Sequence, residues 1–121
     1  MIIERSIDIE ETIREFLRPH FNVFVRPLPK TFSLPCLLVT QVGGTERDKI
    51  DTFSVVLDTR AKTESEALNL MHDAIGALKQ SDIGWITTTA LASWGSDPVR
   101  PDLALCTARL SIATHKTKKT I

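Results

Sequence analysis

Two cysteines, three histidines and fifteen acidic residues are the side chains of this 121-residue chain that could act as nucleophile, base or metal ligand. A thiolate nucleophile needs a neighbouring base and surroundings that lower its pKa, and a metal needs several donors at close spacing. Cys36 follows Pro35 and opens the apolar run Cys36-Leu37-Leu38-Val39, where a cysteine reads as a small buried hydrophobe. Cys106 falls in the apolar register of a later alternating run and reads the same way. No CxxC and no Cys/His cluster joins them, so neither a redox pair nor a zinc site is signalled. His72 lies four residues after Leu68 and reads as a half-exposed flank of a helix, His20 follows Pro19 and reads as a helix-end cap, and His115 belongs to the C-terminal segment. An enzyme using Cys36 or Cys106 with His72 stays open as a reading, and it requires a native-state thiol open to alkylation.

The acidic residues offer no better constellation. Glu10-Arg14 at i,i+4 and Glu15-Arg18 at i,i+3 read as solvated ion pairs on one helix. Asp48, Asp51 and Asp58 are spaced too irregularly for a calcium loop, and Gly43-Gly44 precedes a polar stretch instead of the helix N-terminus that a phosphate cradle needs. Trp85, Trp94 and five phenylalanines have no basic stripe beside them, so a nucleic-acid module is not indicated. No catalytic, metal or cofactor-binding residue is expected, and the chain reads as a binding or structural domain rather than an enzyme.

The elements that would position any contact surface follow from period and punctuation. Asp8 can cap a helix carrying Ile9, Ile13, Phe16 and Leu17 on one face and ending before Pro19. Residues 22–26 form a short strand, followed by an extended loop with Pro27, Pro29 and Pro35. Residues 36–42 form a second strand broken by Gly43-Gly44, and a charged tip leads to a third strand with Phe53, Val55 and Leu57 on one side. Thr63-Glu64-Ser65-Glu66 is a capping box before a helix with Leu68, Met71, Ile75 and Leu78 on its apolar stripe. A long strand from Trp85 to Trp94, a turn-rich loop over 95–102, and a strand with Cys106, Ala108, Leu110 and Ile112 on its dry face complete the series. The expected fold is α+β, a single mostly antiparallel sheet of four to five strands with two helices packed on one face. The domain spans 1–114, and 115–121 reads as a flexible basic tail.

Composition bounds the function classes. Fifteen Lys+Arg balance fifteen Asp+Glu, so no net charge draws the chain to nucleic acid or an anionic membrane. No apolar run approaches the length of a membrane span, and the N-terminus lacks a signal-peptide pattern, so a protein kept inside a cell is expected. The charged loop 45–51, the loop 95–102 and the basic tail exceed what a small core requires and are the candidate contact surfaces.

The order of these pieces carries a resemblance. Arg26-Pro27, Pro35 leading into a strand that ends Val39-Thr40-Gln41-Val42-Gly43-Gly44, a polar tip, Asp51, alternating Val55 and Leu57, Ala61, Glu66-Ala67 in a capped helix, and Trp94, Asp97 and Pro101 before the last strand together resemble the tail terminator, or tail-completion, proteins of long-tailed bacteriophages. The resemblance implies a homo-hexameric ring on the head-proximal end of the tail tube, a virion protein of the neck region assembled in the host cytoplasm. Its implied partners are other copies of itself, the major tail tube protein and a head-tail connector or stopper protein. DNA would pass through the ring without sequence-specific binding, and neither cofactor nor membrane is involved. Under this reading Glu46, Arg47, Asp48 and Lys49 contact a neighbouring subunit or the tail tube, and Arg100, Lys116, Lys118 and Lys119 face the head side or a neighbour. A head-side connector (head-completion) protein and a ferredoxin-like small-molecule-binding regulatory domain stay open as alternatives.

Overall fold

The computed structural model describes residues 1–98 and 100–121; Val99, within the turn-rich loop, lies outside the described residues, as do the side chains of Leu91, Ala92, Ser93 and Ser96. The element order is β1 (Ile2–Arg5), α1 (Ile9–Leu17), β2 (Val23–Val25), β3 (Cys36–Glu46), β4 (Ile50–Ala61), α2 (Glu64–Lys79), β5 (Trp85–Ser96), β6 (Ala104–His115) and β7 (Thr117–Thr120). The expected single sheet of four to five strands is overturned. The chain is α+β with two helices, but its strands divide between a five-stranded sheet, order β2-β3-β4-β6-β5, and a separate two-stranded ribbon of β1 and β7. The ribbon escaped the sequence reading because Ile2-Ile3-Glu4-Arg5 and Thr117-Lys118-Lys119-Thr120 show no alternation of their own and are held by pairing across the length of the chain. Residues 117–120, expected to be a mobile tail, are one strand of it.

Within the large sheet, β2 runs parallel to β3 and the remaining pairs are antiparallel. Gly43 and Gly44 do not end β3 as expected. The ladder absorbs them as a register shift between Gln41 and Gly43 and continues to Glu46 opposite Asp51. Gly44 is required there, since its φ is 151° and a side-chain carbon would collide with the Thr52 carbonyl.

Both helices start at side-chain caps. Asp8 accepts from the Glu11 amide and Thr63 from the Glu66 amide, each at 3.2 Å. The helices touch one another, α1 lying over β2 and β3 and α2 over β4, β6 and β5. Ile9, Ile13 and Leu17 of α1 and Ala67, Met71, Ala74 and Leu78 of α2 meet Val39, Val55, Leu57, Leu110 and Ile112 of the sheet in one core. Each of the larger side chains contributes about 2 kcal/mol by leaving water. Thr59 fixes α2 in register by donating its hydroxyl to the Ala67 carbonyl at 2.8 Å. The opposite sheet face, with Thr40, Ser54, Val56, Asp58, Thr107 and Ser111, carries neither helix. No helix among the described residues is long and apolar enough to cross a membrane.

Candidate contact surfaces at the two ends of the sheet

The core-facing register of β4 runs Asp51, Phe53, Val55, Leu57, Thr59 and Ala61, so period two carries a carboxylate onto the buried face at the strand's start. Asp51 is 1% exposed. Its Oδ1 accepts from Lys116 Nζ at 3.0 Å, and the same ammonium donates to Glu46 at 2.7 Å. Burial alone would raise the Asp51 pKa. The polar groups of Ser6 and the Arg47 amide near the carboxylate, with the Lys116 hydrogen bond and charge, outweigh it and hold the carboxyl below its usual range, although Oδ2 itself has no hydrogen-bond partner among the described residues. The Lys116 side chain is 10% exposed. The Glu46 hydrogen bond is the largest influence on it, and with Asp51 it lifts the ammonium above its usual pKa against the effect of desolvation. Thr114, opposite Asp51 on β6, is also buried.

This cluster anchors the ribbon. Lys116 joins β6 to β7, and Lys49 of the β3–β4 hairpin reaches Glu4 of β1 at 3.6 Å. Ile121 donates its amide to the Met1 carbonyl at 2.8 Å and the Met1 ammonium donates to the Ile121 carbonyl at 3.0 Å. Of the four hairpin residues expected to make contacts, Glu46 and Lys49 are thus engaged inside the subunit, while Arg47 and Asp48 are exposed and make no ion pair among the described residues. Ile50, beside them, is also exposed. Of the four cations expected on the head side, Lys116 is an internal anchor, Lys118 and Lys119 are exposed on β7, and Arg100 is exposed and pairs with Asp102 at 3.1 Å. The structure does not bring these four together.

The far end of the sheet holds a second buried pair that the sequence reading missed. Arg60 Nε donates to Asp97 Oδ2, with the two side chains 10% and 5% exposed. Asp97 Oδ1 also accepts the Arg100 amide at 3.0 Å, an Asx-type turn that shapes the loop before β6. Leu28, Pro29, Lys30 and Phe32 of the proline-rich loop stand across from Arg60, Asp97, Pro98 and Arg100, enclosing a cleft of about 350 Å³. Asn22 ties that loop down by donating to the Ser33 carbonyl at 2.8 Å. Arg60 Nη1 is buried in the cleft wall with no hydrogen-bond partner among the described residues.

Cys36 and Cys106 are buried, and burial pushes both thiols up in pKa, away from the thiolate a nucleophile requires. His72 is exposed on α2, and His20 is exposed beyond α1, where its backbone amide donates to the Leu17 carbonyl at 3.0 Å. Glu10 does not pair with Arg14 as expected. It reaches across to Arg26 at 2.9 Å and accepts the Gln41 amide at 2.8 Å, while Arg14 turns to Glu11 at 2.8 Å. The pair Arg18–Glu15 forms at 2.9 Å. Trp85 and Trp94 are 60% and 47% exposed along β5, the outermost strand of the sheet. Among the described residues no group of three or more histidine, cysteine or acidic side chains could hold a metal. No protein-family model matches the chain, and no curated protein matches it.

Proposed function

We propose that this protein is a structural subunit of a phage neck, a tail terminator that assembles as a hexameric ring, closes the tail tube and presents a surface for head joining. The observation that carries the reading is the pairing of two unlike contact surfaces at opposite ends of the same strands. One is a hairpin tip whose exposed Arg47 and Asp48 make no ion pair among the described residues; the other is a cleft walled by Lys30, Arg60 and Arg100. Cyclic assemblies above the dimer use head-to-tail contacts between two different patches of each subunit, and these surfaces suit that arrangement. The exposed Trp85 and Trp94 on the sheet's outer strand supply further anchoring area of the kind that interfaces concentrate. The order of strands, turns and caps that resembles tail terminators adds its support.

Native mass spectrometry and negative-stain imaging across a concentration series, with and without purified tail tubes, test the proposal. Six-membered rings, or caps on tube ends, are expected. A chain that stays monomeric and leaves tubes uncapped, or a closed dimer that tightens with a small metabolite, overturns it.

A further inference from the structure

The cleft and the hairpin tip lie at opposite ends of β4. Lys49 and Arg60 are eleven positions apart, roughly 35 Å at strand spacing, so one chain cannot bring its tip to its own cleft. Lys30, Arg60 and Arg100 contribute three positive charges to the cleft lining and Asp97 one negative charge, while Leu28, Pro29, Phe32 and Pro98 make the rest of it apolar. Such a site suits a carboxylate that arrives beside an apolar side chain. Arg60 Nη1 is covered and has no hydrogen-bond partner among the described residues, so the Arg60 charge is incompletely compensated beneath that lining.

We infer that the cleft is the receptor for the β3–β4 hairpin tip of a second copy of this chain, with Asp48 directed at Lys30 and Arg60, and Ile50 against the apolar wall. The tip matches in both respects. Asp48 is exposed without an ion-pair partner among the described residues, and Ile50, two residues on, is an exposed apolar side chain. Arg47 is then directed toward Asp102, which pairs with the lining Arg100 and is 66% exposed. Glu46 and Lys49 hold the tip in shape through Lys116 and Glu4, so the contact is made by a braced element and little ordering entropy is lost on docking. A contact between opposite ends of the subunit is heterologous, and it closes when the rotation per copy divides the circle.

This inference rests on the ring reading, and the test separates the two. In the full chain, Asp48→Lys is expected to weaken ring formation about tenfold or more through like-charge contact, and Asp48→Lys combined with Lys30→Glu to restore it. Asp48→Cys with Lys30→Cys, oxidised at ring-forming concentration, is expected to give a ladder of covalent oligomers on a denaturing gel, with neither single variant doing so. Cys36 and Cys106 are buried and stay silent in that assay. Rings that form normally in Asp48→Lys and give no ladder overturn the docking while leaving the ring standing. A chain that forms no ring with or without tail tubes overturns both. Recovery of Asp48→Lys by inorganic phosphate, with no ladder from the cysteine pair, would assign the cleft to a free anion and likewise overturn the docking.

Discussion

At one end of β4, Asp51 is held by Lys116, which Glu46 also grips; at the other, Arg60 is held by Asp97 beneath the proline-rich loop. Both are ion pairs of similar burial, 10% and 2% exposed for Lys116 and Asp51 and 10% and 5% for Arg60 and Asp97, yet they fasten different parts of the chain. Arg60 and Asp97 connect two segments of the domain proper, whereas Lys116 leads from β6 into the peripheral ribbon and fastens it. Removing one partner leaves an uncompensated charge at either end, but the two-stranded ribbon can open and admit water where the large sheet cannot, so the same chemistry should give a global effect at one end and a more local one at the other.

The largest expected effect is therefore Arg60→Ala, which removes the guanidinium from beside the buried Asp97 and should cost about 3–5 kcal/mol in urea unfolding. Arg60→Met combined with Asp97→Leu should recover most of that loss, since two apolar side chains replace two charges together. A double variant as unstable as the single one would mean that the pair is worth more than its mutual compensation. At the other end, Lys116→Met should destabilise the whole domain less than Arg60→Ala while speeding amide exchange in β1 and β7. Equal global losses at the two ends would erase the distinction.

Acid and base sharpen the contrast. Asp51 has a folded-state pKa below its unfolded value, so its contribution is present above the ordinary carboxylate range and is lost as pH falls through the lower folded value. Lys116 is raised, so its contribution is full below the ordinary lysine pKa and is lost as pH rises through the higher folded value. Ribbon amides should exchange faster, relative to the core, at both extremes of pH and be best protected between them. A ribbon whose protection relative to the core does not change with pH would show that backbone pairing alone holds it. The smallest effect serves as a control at neither end: Thr63→Ala removes the α2 cap, should cost about 1 kcal/mol in urea unfolding, and should leave the pH profile of the ribbon unchanged.

How much of this was legible in the sequence depended on whether a feature repeats locally. The two helices, with their Asp8 and Thr63 caps, and the dry faces of β4 and β6 follow from spacing within a dozen residues. The Arg60–Asp97 pair spans 37 positions and leaves no periodic trace. Asp51 did leave one, because extending the alternation of Phe53, Val55 and Leu57 back by two places puts a carboxylate on the buried side, where it demands a cation. Lys116 could have been sought on that basis. What hid it was the polarity of its surroundings, Thr117 through Thr120, which describes a solvated tail as well as it describes a strand that pairs with β1, more than a hundred positions away. Glu10 shows the same limit, since helical spacing offered Arg14 while the fold brought Arg26 closer.

The β1–β7 ribbon also fixes an order of events in folding. Its pairs join Ile2 to Thr120 and Arg5 to Thr117, so it closes the longest loop the chain can make, and its strands bury little apolar surface in return. The entropy of that closure is recovered only after the five-stranded sheet has already drawn the two ends together. The ribbon is accordingly the last part of the protein to form and the first to open, a small clasp whose breathing leaves the sheet and its helices intact.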